Sequence, residues 1–327
     1  MPFWKGKKVL VTGGAGFIGS YVVEMLLKSG ARVRVADYLS KSKVLNLASV
    51  IKEVDFLKAD LRDSLDCRKA CRGMDIVLNL AARVGGINFN KLYPGTIFRD
   101  NILISTNMLE AARISNVERV LVASSACVYP HFCKIPTPES EGFSGIPEPT
   151  NDGYGWAKRM AEFQAQAYAR QFGMKIAIVR PYNAYGPRDH FDIEKSHVIA
   201  ALIARICKGE NPLRVWGNGR QSRSFLYVSD FARGVLEATQ KYAVCDPLNL
   251  GSEEEIKIRD LVELIVRLSG KKIGIVFDTS KPAGQPRRSC DVTKAKKKIG
   301  FKARVKLAEG LDRTITWCLE NKNRLSG

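Results

Sequence analysis

The sequence lacks long apolar runs and paired cysteines. It contains no run of about 18 or more apolar residues, the length that a membrane-spanning helix needs. The first residues, MPFWKGKKVLVTGG, include no apolar stretch of the signal-peptide kind and lead directly into a predicted strand, so we expect the mature protein to begin at Met1. The chain has only three histidines, and no two cysteines share the CxxC spacing of zinc ligands. We therefore expect neither a membrane span nor a metal site.

Eight cysteines are scattered along the chain. They are Cys67, Cys71, Cys127, Cys133, Cys207, Cys245, Cys290 and Cys318. In a chain of 327 residues without a secretion signal, scattered cysteines are typical of reduced thiols, so we expect a cytoplasmic protein.

Positive charge is in excess, with a formal net charge of +19 at pH 7. Only TKAKKKIGFKARVK, residues 293–306, is locally dense in basic residues, and no nucleic-acid-binding motif accompanies it. We interpret the charge as solvated lysines on an enzyme that handles anionic ligands, and we expect no nucleic-acid partner.

Strand-like and helical segments alternate through the first half of the chain. KKVLVTG is a short apolar run, FIGSYVVEMLLKSG has apolar residues at three- and four-residue intervals up to Gly30, and ARVRVAD is strand-like again. Further strand-like runs, separated by helical stretches such as 96–115 and 153–172, are VDFLKAD, MDIVLNLAA, VERVLVASS and MKIAIVRP. This order predicts an α/β fold with a Rossmann-type, doubly wound parallel sheet.

The pattern loosens after Pro181. Residues 185–226 are loop-rich around one amphipathic helix, SHVIAALIARICKG, whereas SFLYVSDFARGVLEATQ and DPLNLGS look like a return to the sheet. Residues 252–327 contain two helical stretches and a short strand, KIGIVF. We predict a dinucleotide-binding Rossmann domain and a smaller C-terminal α/β lobe, formed respectively by residues 1–184 plus 226–251 and by residues 185–225 plus 252–327.

A glycine-rich loop between the first strand and helix indicates a dinucleotide site. TGGAGFIG supplies Gly13, Gly16 and Gly19. Glycine allows close backbone approach to a pyrophosphate, and the helix N-terminus supplies free N–H donors. Asp37, at the end of the second strand, can accept from ribose hydroxyls and would repel a 2′-phosphate, which favours NAD over NADP. Lys41 and Lys43 in the following loop would partly offset that repulsion.

Three residues suggest dehydrogenase chemistry. Tyr154 and Lys158 in YGWAK are four apart on a predicted helix and hence share one face. An ammonium near the phenol favours the phenolate, so the tyrosine can remove a proton from a sugar hydroxyl. Ser125 ends a parallel strand, at the sheet edge where ligands bind in open α/β folds.

The chain resembles the extended short-chain dehydrogenase/reductase family, the nucleotide-sugar epimerases and dehydratases. The likeness covers nearly the whole chain and rests on TGGAGFIG, DLRD, NLAA, SSACVYP, YGWAK, RPYNAYGP, WGNGRQSRSFLYVSD and PRRSCDVTKA. It implies a tightly bound NAD, a lobe that binds a nucleotide sugar, and a homodimer packed through helices like 96–115 and 153–172. The implied cofactor contacts are Gly13, Gly16, Phe17, Ile18, Gly19, Asp37, Asp60, Leu61, Ala81, Tyr154 and Lys158.

Cys127, two residues after Ser125, resembles a catalytic thiol of two subfamilies, GDP-mannose 3,5-epimerase and GDP-L-fucose synthase. In both, a ketone at carbon 4 acidifies the hydrogens at carbons 3 and 5, and inversion needs two acid/base groups on opposite faces of the ring. A thiol can be poised for such proton transfer. The resemblance of SHVIAALIAR to the synthase stretch places the second group on His197, whereas we interpret His131 and His190 as loop residues.

The resemblance also implies the substrate contacts. Asn183 and three arginines match positions around the substrate diphosphate, where the planar guanidinium binds phosphate oxygens in pairs. The full set of implied contacts is Gly85, Ser125, Asn183, His197, Arg205, Gln221, Arg223 and Arg288.

Four functions fit these residues. The first is an NAD-retaining epimerase like GDP-mannose 3,5-epimerase, which SSAC and Asp37 favour. The second is a 3,5-epimerase/4-reductase like GDP-L-fucose synthase, which uses NADPH and which His197 favours. The third is a plain 4-epimerase in which Cys127 only packs. The fourth is a non-enzymatic polyanion-binding protein on a dehydrogenase scaffold.

Overall fold

The fold is described from a computed structural model, which covers residues 2–39, 45–85, 87–192, 196–281 and 285–321. Lys41 and Lys43, the two lysines that follow Asp37, lie outside these residues. Among the described residues, no helix combines the length and the apolar character that a membrane crossing requires.

Strands alternate with helices through the described residues. The strands are β1 (Lys8–Thr12), β2 (Arg32–Asp37), β3 (Asp55–Lys58), β4 (Ile76–Asn79), β5 (Arg119–Ala123), β6 (Lys175–Pro181), β7 (Ala184–Tyr185), β8 (Leu213–Trp216), β9 (Ser222–Ser224), β10 (Leu226–Tyr227), β11 (Leu248–Leu250), β12 (Glu255–Lys257), β13 (Ile275–Asp278) and β14 (Arg287–Arg288). The helices are α1 (Phe17–Lys28), α2 (Ser64–Cys71), α3 (Ile87–Leu92), α4 (Pro94–Ile114), α5 (Asp152–Phe172), α6 (Val198–Cys207), α7 (Val228–Lys241), α8 (Ile258–Leu268), α9 (Thr293–Ile299) and α10 (Leu307–Glu320).

Seven parallel strands form the central sheet in the order β11-β6-β5-β4-β1-β2-β3. The inner strand β4 is buried throughout, as expected for an apolar run covered by helices on both faces. Two apolar clusters fill those faces, one around Val11 and Phe231 and the other around Leu10 and Met108. The predicted Rossmann-type, doubly wound sheet is confirmed.

The second half differs in detail from the sequence expectation. Residues 248–250 join the central sheet, but Leu226–Tyr227 pair with β7 in a separate two-stranded ribbon. After residue 252 the described part of the chain forms three helices, because the lysine-rich segment Thr293–Ile299 also becomes helical. That helix buries only Ala295 and Ile299, so its apolar periodicity is too short to stand out in the sequence.

A third apolar cluster lies mainly within the second half of the chain. It packs α6, α8 and α10 around Leu202, Leu261 and Leu311. Each buried aliphatic side chain of this size contributes about 1.5–3 kcal/mol relative to an exposed one, enough to give these helices a core of their own. The domain boundaries proposed from the sequence are compatible with this cluster and stay a prediction.

Candidate active site

The glycine loop is packed so closely that side chains would not fit. Gly13 has a φ of +64°, and a Cβ there would lie 3.0 Å from the Cα of Ala81, while a Cβ on Gly19 would lie 2.1 Å from the Gly13 carbonyl oxygen. Gly16 is the N-cap of α1, whose first residues are Phe17 and Ile18. Backbone can therefore approach a ligand closely at the amino end of a twelve-residue helix, and this cradle fits a pyrophosphate.

The remaining predicted cofactor residues lie at the carboxyl ends of the neighbouring strands. Asp37 ends β2, is 5% exposed, and accepts a hydrogen bond from the Ala15 N–H at 3.0 Å, which ties its carboxylate to the glycine loop. Asp60 forms an ion pair with Arg62 at 2.6 Å, and its pKa is lowered mainly by that hydrogen bond. Leu61 is buried, and the Ala81 N–H donates to Thr12 Oγ1.

Ser125 and Cys127 share one short 3₁₀ turn after β5. Ser125 is the N-cap of the turn Ala126–Val128, and its Oγ accepts from the Cys127 N–H at 3.1 Å. The Ser125 hydroxyl is also hydrogen-bonded to the phenol of Tyr154. The structure therefore brings serine, cysteine and tyrosine together at the carboxyl edge of the sheet.

Lys158 lies one turn after Tyr154 on α5 and is buried. Its Nζ donates to the Ala123 carbonyl at 2.7 Å and lies 5.4 Å from the centroid of the Tyr154 ring. Burial lowers the pKa of Lys158 to about 8, although nearby Cys127 and Glu162 oppose this shift. Burial likewise raises the pKa of Tyr154, the charge of Cys127 adds to the increase, and the Ser125 hydrogen bond opposes it. Burial thus decides the direction of the Tyr154 pKa shift, and Lys158, which was expected to lower this pKa, is not among its main causes.

Arg288 connects Cys127 with His197. Burial opposes the charge of Arg288, but the charge of Cys127 and a hydrogen bond with its thiol contribute to a raised pKa of this guanidinium. His197 is the N-cap of α6, and its pKa is lowered by burial, by Arg288 and by His190. The residue is exposed to solvent over part of its surface. Cys127 and His197, the two predicted proton-exchange groups, are therefore both close enough to Arg288 to interact with its charge.

The predicted diphosphate residues gather on β9 and its neighbours. Arg223 and Arg288 are register partners in parallel strands, and the pKa of Arg223 is lowered to about 10 by burial and by the charge of Arg288. Gln221 is buried, and its Oε1 has no hydrogen-bond partner among the described residues. Asn183 donates from Nδ2 to the Ser224 carbonyl at 2.8 Å. The two like charges suit an anionic ligand, whereas the unpartnered Gln221 oxygen would need a hydrogen-bond donor of that ligand.

Arg205 and Gly85 are placed differently from this group. Arg205 lies near the carboxyl end of α6, about 12 Å along the helix from His197. Its guanidinium pairs with Glu210 and donates to the Arg214 carbonyl at 2.6 Å. Gly85 packs against Phe89, since a Cβ there would lie 2.3 Å from the phenylalanine ring. The structure does not bring the donors of Arg205 to the other predicted contacts.

Sequence reasoning missed a buried polar network behind the catalytic turn. Glu162 and Arg180 form an ion pair at 2.7 Å, with side-chain exposures of 0% and 2%. Two signals could have revealed it: Glu162 lies one turn after Lys158, and Arg180 interrupts the apolar strand KIAIVRP. A charged residue inside a buried strand requires a partner.

The fold and the site together identify the class of enzyme to which this protein belongs. A doubly wound sheet, a glycine cradle at β1, and serine, tyrosine and lysine at the carboxyl edge together define a dinucleotide-dependent enzyme of the short-chain dehydrogenase/reductase type. The model of the "NAD dependent epimerase/dehydratase family" matches residues 9–251, and the chain belongs to this family.

Similar proteins are found among curated sequences and solved structures. The chain is 36% identical over 323 residues to probable GDP-L-fucose synthase 1 of Oryza sativa subsp. japonica, an alignment that covers 97% of this chain and 93% of that protein. It is 32% identical over 324 residues to GDP-mannose 3,5-epimerase 1 of the same rice subspecies, covering 97% and 84%. The structure of UDP-glucose 4-epimerase with UDP-glucose from Thermotoga maritima superposes with a TM-score of 0.86 at 30% identity and covers 96% of this chain and 99% of that one.

Proposed function

We propose that this protein is an NAD-retaining nucleotide-sugar epimerase that inverts carbons 3 and 5 of a GDP-hexose, as GDP-mannose 3,5-epimerases do. The observation that carries the proposal is the shared turn of Ser125 and Cys127, which sets a thiol beside the tyrosine and lysine of a dehydrogenase site. Relatives named GDP-mannose 3,5-epimerase and GDP-L-fucose synthase align along almost the whole chain.

The nicotinamide cofactor fits the glycine cradle, with Gly13, Gly19 and the start of α1 at its pyrophosphate and Asp37 at its ribose. When bound, it supplies reversible hydride transfer at carbon 4 of the sugar. Tyr154 takes the proton of the 4-hydroxyl while Ser125 hydrogen-bonds the same oxygen. Because burial favours the neutral phenol, Lys158, with a pKa of about 8, assists the proton transfer.

Cys127 and His197 exchange the protons at carbons 3 and 5 after the carbon 4 ketone has acidified them. The lowered pKa of His197 keeps its imidazole neutral near pH 7, in the form that can accept a proton. Arg288 is hydrogen-bonded to the Cys127 thiol, and this thiol can deliver to one face of the ring a proton that replaces the one His197 removes from the other. The two groups act from opposite faces of the ring. Tyr154 then returns the proton to the carbon 4 oxygen as the hydride would return to carbon 4, which completes a redox-neutral cycle.

Asp37 favours retained NAD over NADPH. Its buried carboxylate is held against the glycine loop, where a 2′-phosphate would meet a fixed negative charge. A cofactor that is reduced and reoxidised within one turnover need not leave, in agreement with tight NAD binding.

A GDP-L-fucose synthase-like epimerase/reductase is the second candidate, favoured by His197 at the start of α6 and by the 36% identity to the rice synthase. Such an enzyme takes a 4-keto sugar nucleotide and reduces it once with NADPH. A plain 4-epimerase is less compatible, because the Cys127 thiol is hydrogen-bonded to Arg288 and is not simply packed. The assembled serine, tyrosine and lysine argue against a non-enzymatic polyanion-binding protein.

We also propose a homodimer formed through α4 and α5. These helices pack against each other and expose large apolar side chains, namely Phe98, Leu103, Phe163 and Phe172. A second copy would cover this surface. The cytoplasmic location, with reduced cysteines, stays a prediction.

The test combines cofactor identification with isotope exchange. The purified protein is denatured and its released dinucleotide identified; native enzyme is then incubated with GDP-mannose in deuterated water and the sugar is examined by mass spectrometry and NMR. Bound NAD, deuterium at carbons 3 and 5 and no net redox change are expected. NADPH-dependent reduction of a 4-keto sugar nucleotide, with no labelling of GDP-mannose, would select the synthase.

A further inference from the structure

A buried ion pair lies directly behind the turn that carries Ser125 and Cys127. Arg180, on β6, donates from Nε and Nη2 to the two carboxylate oxygens of Glu162, on α5, at 2.8 and 2.7 Å. Burying two charges costs several kcal/mol, and an apolar pair of similar volume is often equally stabilising. Stability alone therefore does not account for the pair.

Glu162 holds the residue that precedes the turn. The Ser124 hydroxyl donates to Glu162 Oε1, and the Ser124 N–H donates to the Val179 carbonyl at 2.9 Å. Ser124 is covalently joined to Ser125, so this contact fixes the upstream end of the turn. The same carboxylate lies one helical turn after Lys158 and opposes the decrease in its pKa.

Arg180 holds the residue that follows the turn. Its Nη1 donates to Tyr129 Oη at 3.0 Å and to the Glu139 carbonyl at 2.7 Å. The Tyr129 hydroxyl in turn donates to Asn249 Oδ1 at 2.5 Å, which connects the residue to β11. The downstream end of the turn is therefore tied to the central sheet through hydrogen bonds that are buried from water.

We propose that Glu162 and Arg180 are positioning residues that hold the turn Ala126–Val128 at both ends and thereby fix the Ser125 hydroxyl and the Cys127 thiol against Tyr154 and Arg288. The inference rests on the proposed function in that it takes Cys127 to be a reacting group. A small displacement of a reacting group can cost about 100-fold in rate, so loosening this support should be visible in catalysis.

The test uses four variants, of which two remove the ion pair and two remove only one of its contacts with the residues that flank the turn. Glu162→Gln and Arg180→Met remove the ion pair; Ser124→Ala and Tyr129→Phe keep it and remove only the upstream or the downstream contact. Glu237→Gln is the matched control, because Glu237 is also a buried carboxylate and pairs with Arg233 within α7 at 3.1 Å. For each variant, the alkylation rate of Cys127 by iodoacetamide is followed by peptide mass spectrometry across pH without substrate, and kcat and KM are measured for deuterium exchange.

We expect the alkylation rate of Cys127 to differ from the wild-type rate in all four variants, since a loosened turn changes the access of the reagent to the thiol. We expect kcat to fall by about 10- to 100-fold with little change in KM, and Glu237→Gln to resemble the wild type. Folded Ser124→Ala and Tyr129→Phe proteins with wild-type alkylation and kcat would overturn the proposal, even if the ion-pair variants fail to fold. The alkylation measurement needs no substrate, so it decides the question even if GDP-mannose is not turned over.

Discussion

Arg223 and Arg288 stand directly opposite each other on the adjacent parallel strands β9 and β14. Like charges in register repel, and burial together with the charge of Arg288 lowers the pKa of Arg223 to about 10. An anion bound between the two guanidinium groups would relieve this repulsion. We propose that this pair binds the diphosphate of the substrate.

Replacing Arg223 by glutamine should weaken substrate binding more than it slows chemistry. A hydrogen bond to a charged group contributes about 1.5–3 kcal/mol, so we expect KM for the nucleotide sugar to rise by about 10- to 100-fold while kcat changes little. The control is Arg287→Gln, on the paired strand β14, because Arg287 is half-exposed and pairs with Glu255. Similar KM values in the two variants, measured in steady-state assays, would contradict a diphosphate site at Arg223.

Cys127→Ser separates proton exchange from oxidation. Serine is a much weaker acid than cysteine, so we expect deuterium incorporation at carbons 3 and 5 to stop, while Tyr154 and Lys158 still support oxidation at carbon 4. Oxidation can be followed as reduced cofactor by its absorbance, and exchange by NMR. Cys133→Ser is the control, since Cys133 is a nearby cysteine whose thiol contacts Thr137. Unchanged exchange in the Cys127 variant would remove the thiol from the mechanism.

Asp37→Asn tests cofactor selectivity with little change in shape. The amide oxygen can still accept from the Ala15 N–H, but the negative charge is lost. We expect the ratio of NADP to NAD dissociation constants to fall by about tenfold or more, equivalent to about 1.4 kcal/mol of relieved repulsion. Fluorescence titration of both dinucleotides measures this ratio. Asp55→Asn, at an exposed aspartate that pairs with Arg34, should leave it unchanged; an equal ratio in the wild type and the Asp37 variant would refute the assigned role.

The sequence alone was sufficient to predict the central sheet and the residues that follow its strands. Apolar runs such as KVLVT and IVLN can only be buried strands in this context, and parallel strands bring Asp37, Ser125 and the glycine loop to one edge. Local spacing likewise placed Tyr154 and Lys158 on one helical face.

Other features of the site depend on contacts that residues make only in the folded chain, and local sequence patterns do not reveal such contacts. Glu162 and Arg180 belong to different elements, and only packing of α5 on β6 reveals that they pair. Arg205 matches a phosphate-binding position in sequence, yet Glu210, five residues on, engages its guanidinium. The direction of the Tyr154 pKa shift also required the fold, because burial of the phenol raises its pKa and local spacing does not reveal that burial.

Lys158 should make folding stability depend on pH above about 8. Its pKa in the folded protein is about 8, against an ordinary value of 10.5, because the charged form is buried. Between these values the unfolded chain binds a proton that the folded protein has released, so raising the pH favours the folded state. The cost of burying the charge is fully present below about pH 8 and disappears as the pH rises toward 10.5.

Urea unfolding of the wild type and of Lys158→Met at pH 8 and pH 9.5 measures this effect. We expect the wild type to gain stability relative to the variant, by at most about 1.4 kcal/mol per pH unit, because methionine cannot titrate. Lys272→Met, at an exposed lysine, should follow the wild-type pH dependence. Parallel profiles for the wild type and Lys158→Met would mean that Lys158 stays charged in the folded protein, and its part in proton transfer from Tyr154 would then be purely electrostatic.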